Sequence, residues 1–287
     1  MTIAQLLAES AAYLKDLGLE SPRLEAEILL AHALGIKRIQ LYSQHERILT
    51  EAELARCREF ISCRAKHEPT AYITGVQPFM SLDFFVDRSV LIPRPETEEL
   101  VELVIAHVSH DSSPITHYSI ADIGTGSGAI AVSLAKFLPN VKVVGTDNST
   151  RALEVARKNA TFHQVADRCE FRLGNLLEPL TEKVDIIVSN PPYIPTAEIE
   201  TLQPEVKDWE PRQALDGGKD GLDYYKKIIP AAARHLASSG RLYLEIVPEL
   251  ADNLAALLKV ADCFENINLL KDLKLNHRFA LASYKER

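Results

Sequence analysis

The sequence predicts an α/β fold: a mostly parallel sheet flanked by helices, preceded by a small helical bundle and a β-hairpin. Three observations predict it. From Ser119 onward short apolar runs alternate with helical patterns, as strand–helix–strand units do. Before about residue 70 only helical periodicity is present. Between the two lies a stretch of extended, aromatic-containing runs. The expected organisation is therefore a helical domain over 1–70, a hairpin linker over 71–95 and an α/β domain over 96–287.

Taken in order, Ile3, Leu6, Leu7 and Leu14 share one face of a first helix. Ser21 reads as the N-cap of a second, with Pro22 at its first position and Gly35 beyond Leu34 at its end. Thr50 and Glu53 form a capping box that opens a third helix running to about Lys66. Phe84, Phe85 and Val86, broken by Ser81, Asp87 and Arg88, read as part of the hairpin. Pro93 and Pro95 stiffen the passage into a helix from about Glu96 to His107. Strands are expected at Ser119–Ile123, Val141–Thr146, Cys169–Leu173, Val184–Ser189 and Arg241–Ile246, with Phe264–Leu270 and Arg278–Ser283 as an antiparallel pair at the edge. No internal repeat is present.

Composition narrows the function classes. The chain has 287 residues, 46% hydrophobic and 25% charged, enough for a sizeable core. No apolar run approaches the ~20 residues of a membrane span, and the first residues lack the basic start and apolar core of a signal peptide. The expectation is a cytoplasmic protein. Cys57, Cys63, Cys169 and Cys263 show no C-x-x-C spacing and the histidines no H-E-x-x-H, so no metal is expected. The net charge of −8 opposes sequence-independent attraction to a polyanion. A protein or small molecule is the expected partner, and the chain is expected to be a monomer.

Two segments carry chemistry. Asp122-Ile123-Gly124-Thr125-Gly126-Ser127-Gly128-Ala129 joins the first strand of the sheet to a helix. Its glycines allow a tight turn and close approach of backbone N–H groups to a ligand. Asp147, ending the next strand, can accept both hydroxyl hydrogens of a ribose. Gly124, Gly126 and Ala129 also fit the dinucleotide pattern G-x-G-x-x-A, which keeps a nicotinamide-dependent oxidoreductase open. Asp122 is positioned to bind an ammonium group. The second segment is Asn190-Pro191-Pro192-Tyr193, after the apolar run Val184–Val188, where open α/β sheets place their chemistry. The prolines remove backbone donors. The Asn190 oxygen and nearby carbonyls remain as fixed acceptors beside an aromatic ring, an arrangement suited to a planar –NH2 group.

The first segment resembles motif I of S-adenosyl-L-methionine-dependent methyltransferases, and the second resembles the (D/N/S)-P-P-(Y/F/W) motif of those that methylate nitrogen. Tyr72-Ile73-Thr74-Gly75, Leu91-Ile92-Pro93-Arg94-Pro95-Glu96-Thr97-Glu98, Glu210-Pro211-Arg212 and Asp216-Gly217-Gly218 narrow the resemblance to the release factor glutamine methyltransferases, the HemK/PrmC family, over nearly the whole chain. The resemblance implies a Rossmann-like class I methyltransferase domain with a seven-stranded sheet and an N-terminal domain that docks the substrate. It implies S-adenosyl-L-methionine as cofactor and the glutamine of the Gly-Gly-Gln loop of peptide chain release factors as the methylated group.

On this reading Asp122, Gly124, Thr125, Gly126, Ser127, Gly128, Asp147, Asn175, Leu176 and Asn190 hold the cofactor. Asn190, Pro191, Pro192, Tyr193, Arg94, Thr97 and Glu98 meet the substrate, and Asn190, Pro191 and Tyr193 are the catalytic set. Tyr193 is expected to pack on the amide, and Phe79, Arg94, Thr97 and Glu98 to close the cofactor pocket. Asn175 stands where the family often has Asp, and Val247 and Leu275 replace common glycines. The competing readings are a nucleic-acid N-methyltransferase of the same fold, the oxidoreductase and a non-catalytic adaptor.

Overall fold

A computed structural model describes residues 1–110 and 117–285. Five helices come first: α1 (Ile3–Asp16), α2 (Pro22–Leu34), α3 (Arg38–Ser43), α4 (Glu51–Arg64) and α5 (Thr70–Thr74). A hairpin follows, β1 (Val76–Phe79) and β2 (Leu82–Phe85), and then α6 (Pro95–His110). Strands and helices then alternate: β3 (Tyr118–Ile123), α7 (Ala129–Phe137), β4 (Val141–Asp147), α8 (Thr150–Phe162), β5 (Cys169–Leu173) and β6 (Val184–Ser189). A long loop carries the short helix α9 (Pro204–Lys207). The chain ends with α10 (Asp223–His235), β7 (Leu236–Glu245), α11 (Ala251–Val260), β8 (Phe264–Lys271) and β9 (His277–Tyr284).

The chain forms two compact units, Met1–Val76 with Gln203–Trp209, and Gln77–Leu202 with Glu210–Arg287. The first is built on the apolar faces of its helices. Ile3, Leu6, Leu7 and Leu14 meet Leu29, Leu30 and Ile61 in one core. The Thr50–Glu53 capping box opens α4 as expected. Ser21 does not cap α2: it takes a left-handed conformation (φ 48°), and its side chain makes no cap hydrogen bond, so Pro22 alone sets the helix start. Buried Arg64 bonds Glu25 (2.9 Å) and Glu205 (2.5 Å), which ties α9 to this unit.

The second unit is a seven-stranded sheet of order β5-β4-β3-β6-β7-β9-β8. All pairs from β5 to β7 are parallel, and β9 is antiparallel to both β7 and β8. The inner strands β3 and β6 are buried along nearly their whole length, as continuous apolar runs covered on both faces must be. One core layer packs α6, α7 and α8 on the sheet; a second packs α10 and α11 on the other face. β7 starts at Leu236, five residues before the expected Arg241. Its pairing with β6 shifts between Val184 and Ile186, and Ser239 beside Gly240 is left-handed (φ 62°); that local irregularity reads as a turn in the sequence. The hairpin turns at Met80 and Ser81, both with positive φ, the backbone of a two-residue primed turn. Among the described residues no helix is long and apolar enough to cross a membrane.

Candidate active site

The carboxyl ends of β3, β4 and β6 meet where the strand order reverses, the position at which open α/β sheets bind ligands. A cavity of about 720 Å³, solvent at its mouth included, opens there. Gly124 and Gly126 follow β3, Asp147 and Asn148 end β4, and Asn175 and Leu176 follow β5 along its wall. Ser189, Asn190, Pro191 and Pro192 close it from β6. Val90 and Leu91 before α6, Pro211 and Ala214 from the long loop, and Tyr224 of α10 add apolar surface. The size and the mixture of apolar wall and few polar groups are those of a small-molecule site.

The loop after β3 is built to hold itself. Gly124, Gly126 and Gly128 have φ of 72°, 54° and 78°, a run of left-handed residues that side chains would strain. A Cβ on Gly128 would also sit 3.1 Å from the Ala156 Cβ of α8. Four backbone donors of the loop are turned inward. Gly124 and Thr125 N–H both bond the Thr146 carbonyl at 2.9 Å, and Gly128 N–H bonds Thr125. Gly126 N–H bonds Asp147 Oδ2 at 2.9 Å, while Asp147 Oδ1 accepts from Ser149 N–H. This corrects the expectation that these N–H groups face a ligand. A dinucleotide's pyrophosphate needs such groups free; these four are spent within the fold. The oxidoreductase reading loses those donors, and the sheet departs from the dinucleotide-binding strand order, because a seventh strand, β9, inserts antiparallel between β7 and β8.

Asp122 is wholly buried, and its carboxylate braces the loop from below. Oδ2 accepts from Thr125 Oγ1 (2.6 Å) and Ala131 N–H (3.2 Å), while Oδ1 has no partner among the described residues. Burial pushes its carboxyl up to about 7, with Asp147 adding to the effect against the two hydrogen bonds. Asp147 is likewise raised, chiefly by burial. Asp122, Thr125, Ser127 and Gly128 do not line the cavity; Gly124, Gly126, Asp147, Asn175, Leu176 and Asn190 do. Asn175 Nδ2 is held by Glu178 (3.1 Å), and the Leu176 carbonyl accepts from Thr146 Oγ1 (2.7 Å). Among the described residues nothing charged other than Asp147 lines the cavity. A lone carboxylate, amide groups and apolar surface form a donor set that fits a nucleoside carrying a cation and not one carrying phosphates. The orphaned Asp122 Oδ1 marks a second acceptor beneath the same loop.

At the end of β6, Ser189 Oγ bonds the Ile123 carbonyl (2.7 Å), which locks this strand end to the loop after β3. Asn190 Nδ2 donates to Thr97 Oγ1 (3.0 Å), which donates to buried Glu245 Oε2 (2.7 Å). The Asp216-Gly217-Gly218 motif explains itself here: Gly217 N–H bonds the Ile194 carbonyl, and Ile194 N–H bonds Leu215. A Cβ on Gly217 would lie 2.7 Å from the Tyr193 backbone, and one on Gly221 2.4 Å from the Tyr193 carbonyl oxygen. The two glycines let the loop back directly against the Asn190–Tyr193 segment.

Four expectations need correction. The Tyr193 ring does not line the cavity; it packs on the second core layer, and burial, then Glu245, pushes its hydroxyl up to about 12. Phe79 is core, edge-on to Phe84. Glu98 faces the hairpin and accepts from Met80 N–H (2.7 Å). Arg94 pairs with buried Glu210 (2.6 Å), which anchors the long loop next to cavity-lining Pro211. Sequence reading missed Glu245 and Asn159. Asn159 accepts from Phe85 N–H and donates to the carbonyls of Phe85 and Ser127, joining the hairpin to the loop after β3. A polar residue on the buried face of an amphipathic helix is the one sequence signal for it.

The comparisons with known proteins agree with this architecture. The PrmC N-terminal domain family model matches residues 5–75 and the Methyltransferase small domain model residues 101–203. The release factor glutamine methyltransferase of Geobacter sulfurreducens is 46% identical over 92% of this chain and 91% of its own. That of Moorella thermoacetica is 44% identical over the full length of both. A crystal structure of a methyltransferase from Pyrococcus furiosus, 19% identical, superposes with a TM-score of 0.53 over 72% of this chain and 91% of its own, a likeness of fold. The second unit has the class I methyltransferase fold, and the chain belongs to the family of release factor glutamine methyltransferases.

Proposed function

We propose that the chain transfers the methyl group of S-adenosyl-L-methionine to the side-chain amide nitrogen (N5) of the glutamine in the Gly-Gly-Gln motif of peptide chain release factors. Family membership supports the reaction. The observation that carries the assignment to an amide is the end of β6, where Asn190 has one amide face tied to Thr97 and its Oδ1 without a partner among the described residues. The two prolines that follow have no N–H, so this lip offers acceptors. On this reading Asn190 Oδ1 and the Pro191 carbonyl each accept one N–H of the glutamine amide and turn its nitrogen lone pair toward the methyl group. Pro192 and the Tyr193 backbone keep that geometry rigid.

The bound cofactor supplies an electrophilic methyl on a sulfonium centre. Asp147 is the acceptor for its ribose, and Leu176 and Asn175 bound its adenine. Asp122 and Thr125 keep the loop closed around it. An amide nitrogen is a poor nucleophile, because its lone pair is delocalised. The gain therefore comes from orientation and from acceptor dipoles fixed in advance; proton loss follows methyl transfer, with no strong base in the cavity wall. The helical unit serves as the docking module for the release factor, and the setting is the cytoplasm.

The test is mass spectrometry of a release factor after incubation with the protein and cofactor, with DNA and rRNA offered in parallel. One methyl group gained on the Gly-Gly-Gln glutamine is the expected result. Methyl transfer to nucleic acid alone overturns the reading in favour of a nucleic-acid methyltransferase.

A further inference from the structure

We propose that Thr97 and Glu245 are positioning residues that set the orientation of the Asn190 carboxamide, holding its oxygen toward the cavity and its NH2 group away. The inference rests on the amide-methylating reading for its consequence, though the wire itself needs no substrate.

The direction of the wire follows from proton count. A carboxylate only accepts, a threonine hydroxyl has one hydrogen, and an amide has a donor end and an acceptor end. Ionised Glu245 takes the Thr97 hydrogen, at 2.7 Å. The hydroxyl oxygen is then left with lone pairs facing Asn190, at 3.0 Å, so only the NH2 end of the amide fits there. Oδ1 must turn the other way. The amide assignment thus follows from the buried charge outward, which fixes an orientation that electron counts alone leave ambiguous. A protonated Glu245 can donate to Thr97, which lets Thr97 donate to Asn190 Oδ1. The amide then rotates and presents donors where the substrate's own donors must bind.

Glu245 ends β7 and is buried. The groups around it are Arg278 from β9, Arg94 and Glu96 at the start of α6, and Tyr193 and Tyr225. Tyr225 donates its hydroxyl to the Glu245 backbone carbonyl at 2.7 Å, fixing the strand end. Burial raises the Glu245 carboxyl to about 7 against the opposing Thr97 hydrogen bond and the Arg278 charge. The wire therefore reverses within reach of neutral pH, and activity falls as pH falls.

The test uses Thr97→Val, Thr97→Ser and Glu245→Gln in the full chain, with S-adenosylhomocysteine binding as the check of fold. Thr97→Val is expected to lower kcat on release factor by about tenfold or more with cofactor affinity within about twofold, and Thr97→Ser to recover most of the rate. Glu245→Gln, nearly isosteric, carries both a donor and an acceptor end and no charge to choose between them; it is expected to lower kcat and to lose the acidic limb of the pH–rate profile, which in the wild type has its midpoint at or below about 7. A limb that persists in Glu245→Gln belongs to another raised carboxyl, Asp122 or Asp147, and overturns the proposal, as does wild-type kcat in Thr97→Val. A substrate-free readout covers variants that fold poorly. The Asn190 side-chain 15N–1H signals of the wild type, assigned by their loss in Asn190→Asp, should shift with pH. Signals that Thr97→Ser and Glu245→Gln both leave where they stand in the wild type overturn the wire without any activity measurement. If they shift but no release factor is methylated, the wire stands and the function proposed above fails.

Discussion

The loops after β3 and β6 are neighbours at one sheet edge, yet they manage their backbone groups in opposite ways. The first is rich in N–H donors and satisfies four of them internally, those of Gly124, Thr125, Gly126 and Gly128, on Thr146, Thr125 and Asp147. The second has its donors removed by Pro191 and Pro192 and leaves acceptors at the cavity. Both routes reach one electrostatic result: a site edge with fewer free donors, receptive to a cation and an –NH2 group. The glycine pattern alone is compatible with a dinucleotide; what the donors bond to is not.

Breaking the acceptor side gives the largest expected effect. Asn190→Ala removes the aimed oxygen and should cost about a hundredfold to a thousandfold in kcat, measured by methyl transfer to release factor, a loss much larger than any in S-adenosylhomocysteine affinity. Activity like that of the wild type would show that the acceptor side takes no part in the transfer. Gly217→Ala leaves every acceptor in place but pushes a Cβ into the Tyr193 backbone at 2.7 Å. A shift of this loop by a fraction of an ångström should cost tenfold or more, up to about a hundredfold in kcat; an equal loss in cofactor affinity would show that the two loops move as one.

Asp122→Asn probes the donor side. The folded-state carboxyl sits at about 7, well above its unfolded value. Its contribution to stability is therefore full below about pH 4 and is lost as pH rises through about 7. Denaturant titrations of the cofactor-free protein should show the wild type losing stability over that window, by a few kcal/mol as an order of magnitude. The variant should lose less, keeping the share that Glu245, Asp147 and Glu99, raised in the same direction, contribute. Identical pH slopes would show Asp122 to be solvated. The smallest effect lies far from either loop. Leu275 is left-handed (φ 65°) and exposed, so Leu275→Gly should raise the unfolding free energy by about 1 kcal/mol. Val247, the other residue standing for a family glycine, has φ −105° and carries no such strain; Val247→Gly should give no gain.

The seven strands were legible because the inner ones are unbroken apolar runs and the helices between them carry their own periodicity. Short helices such as α3 and α5 were not, since five or six residues hold too little pattern to distinguish a helix from a turn. The motifs showed where Asn190 and Asp147 stand but not what their neighbours do. Tyr193 has the sequence profile of a substrate-stacking ring and is instead drawn into the core. Glu98 lies one residue from Thr97 and faces the hairpin, because adjacent helical positions point about 100° apart.

By itself, the order of residues determined the strand–helix alternation, the strand ends at which chemistry is placed, and the rigidity of the Asn190–Tyr193 segment. These depend on local pattern and on proline's fixed φ. Only the tertiary structure decided that the glycine loop spends its donors inward and that Thr97 and Glu245, 93 and 148 residues apart along the chain from their hydrogen-bond partners, aim the Asn190 amide. Hydrogen-bond direction depends on which groups burial brings together and which of them bear charge, and neither is written in the spacing of residues along a chain.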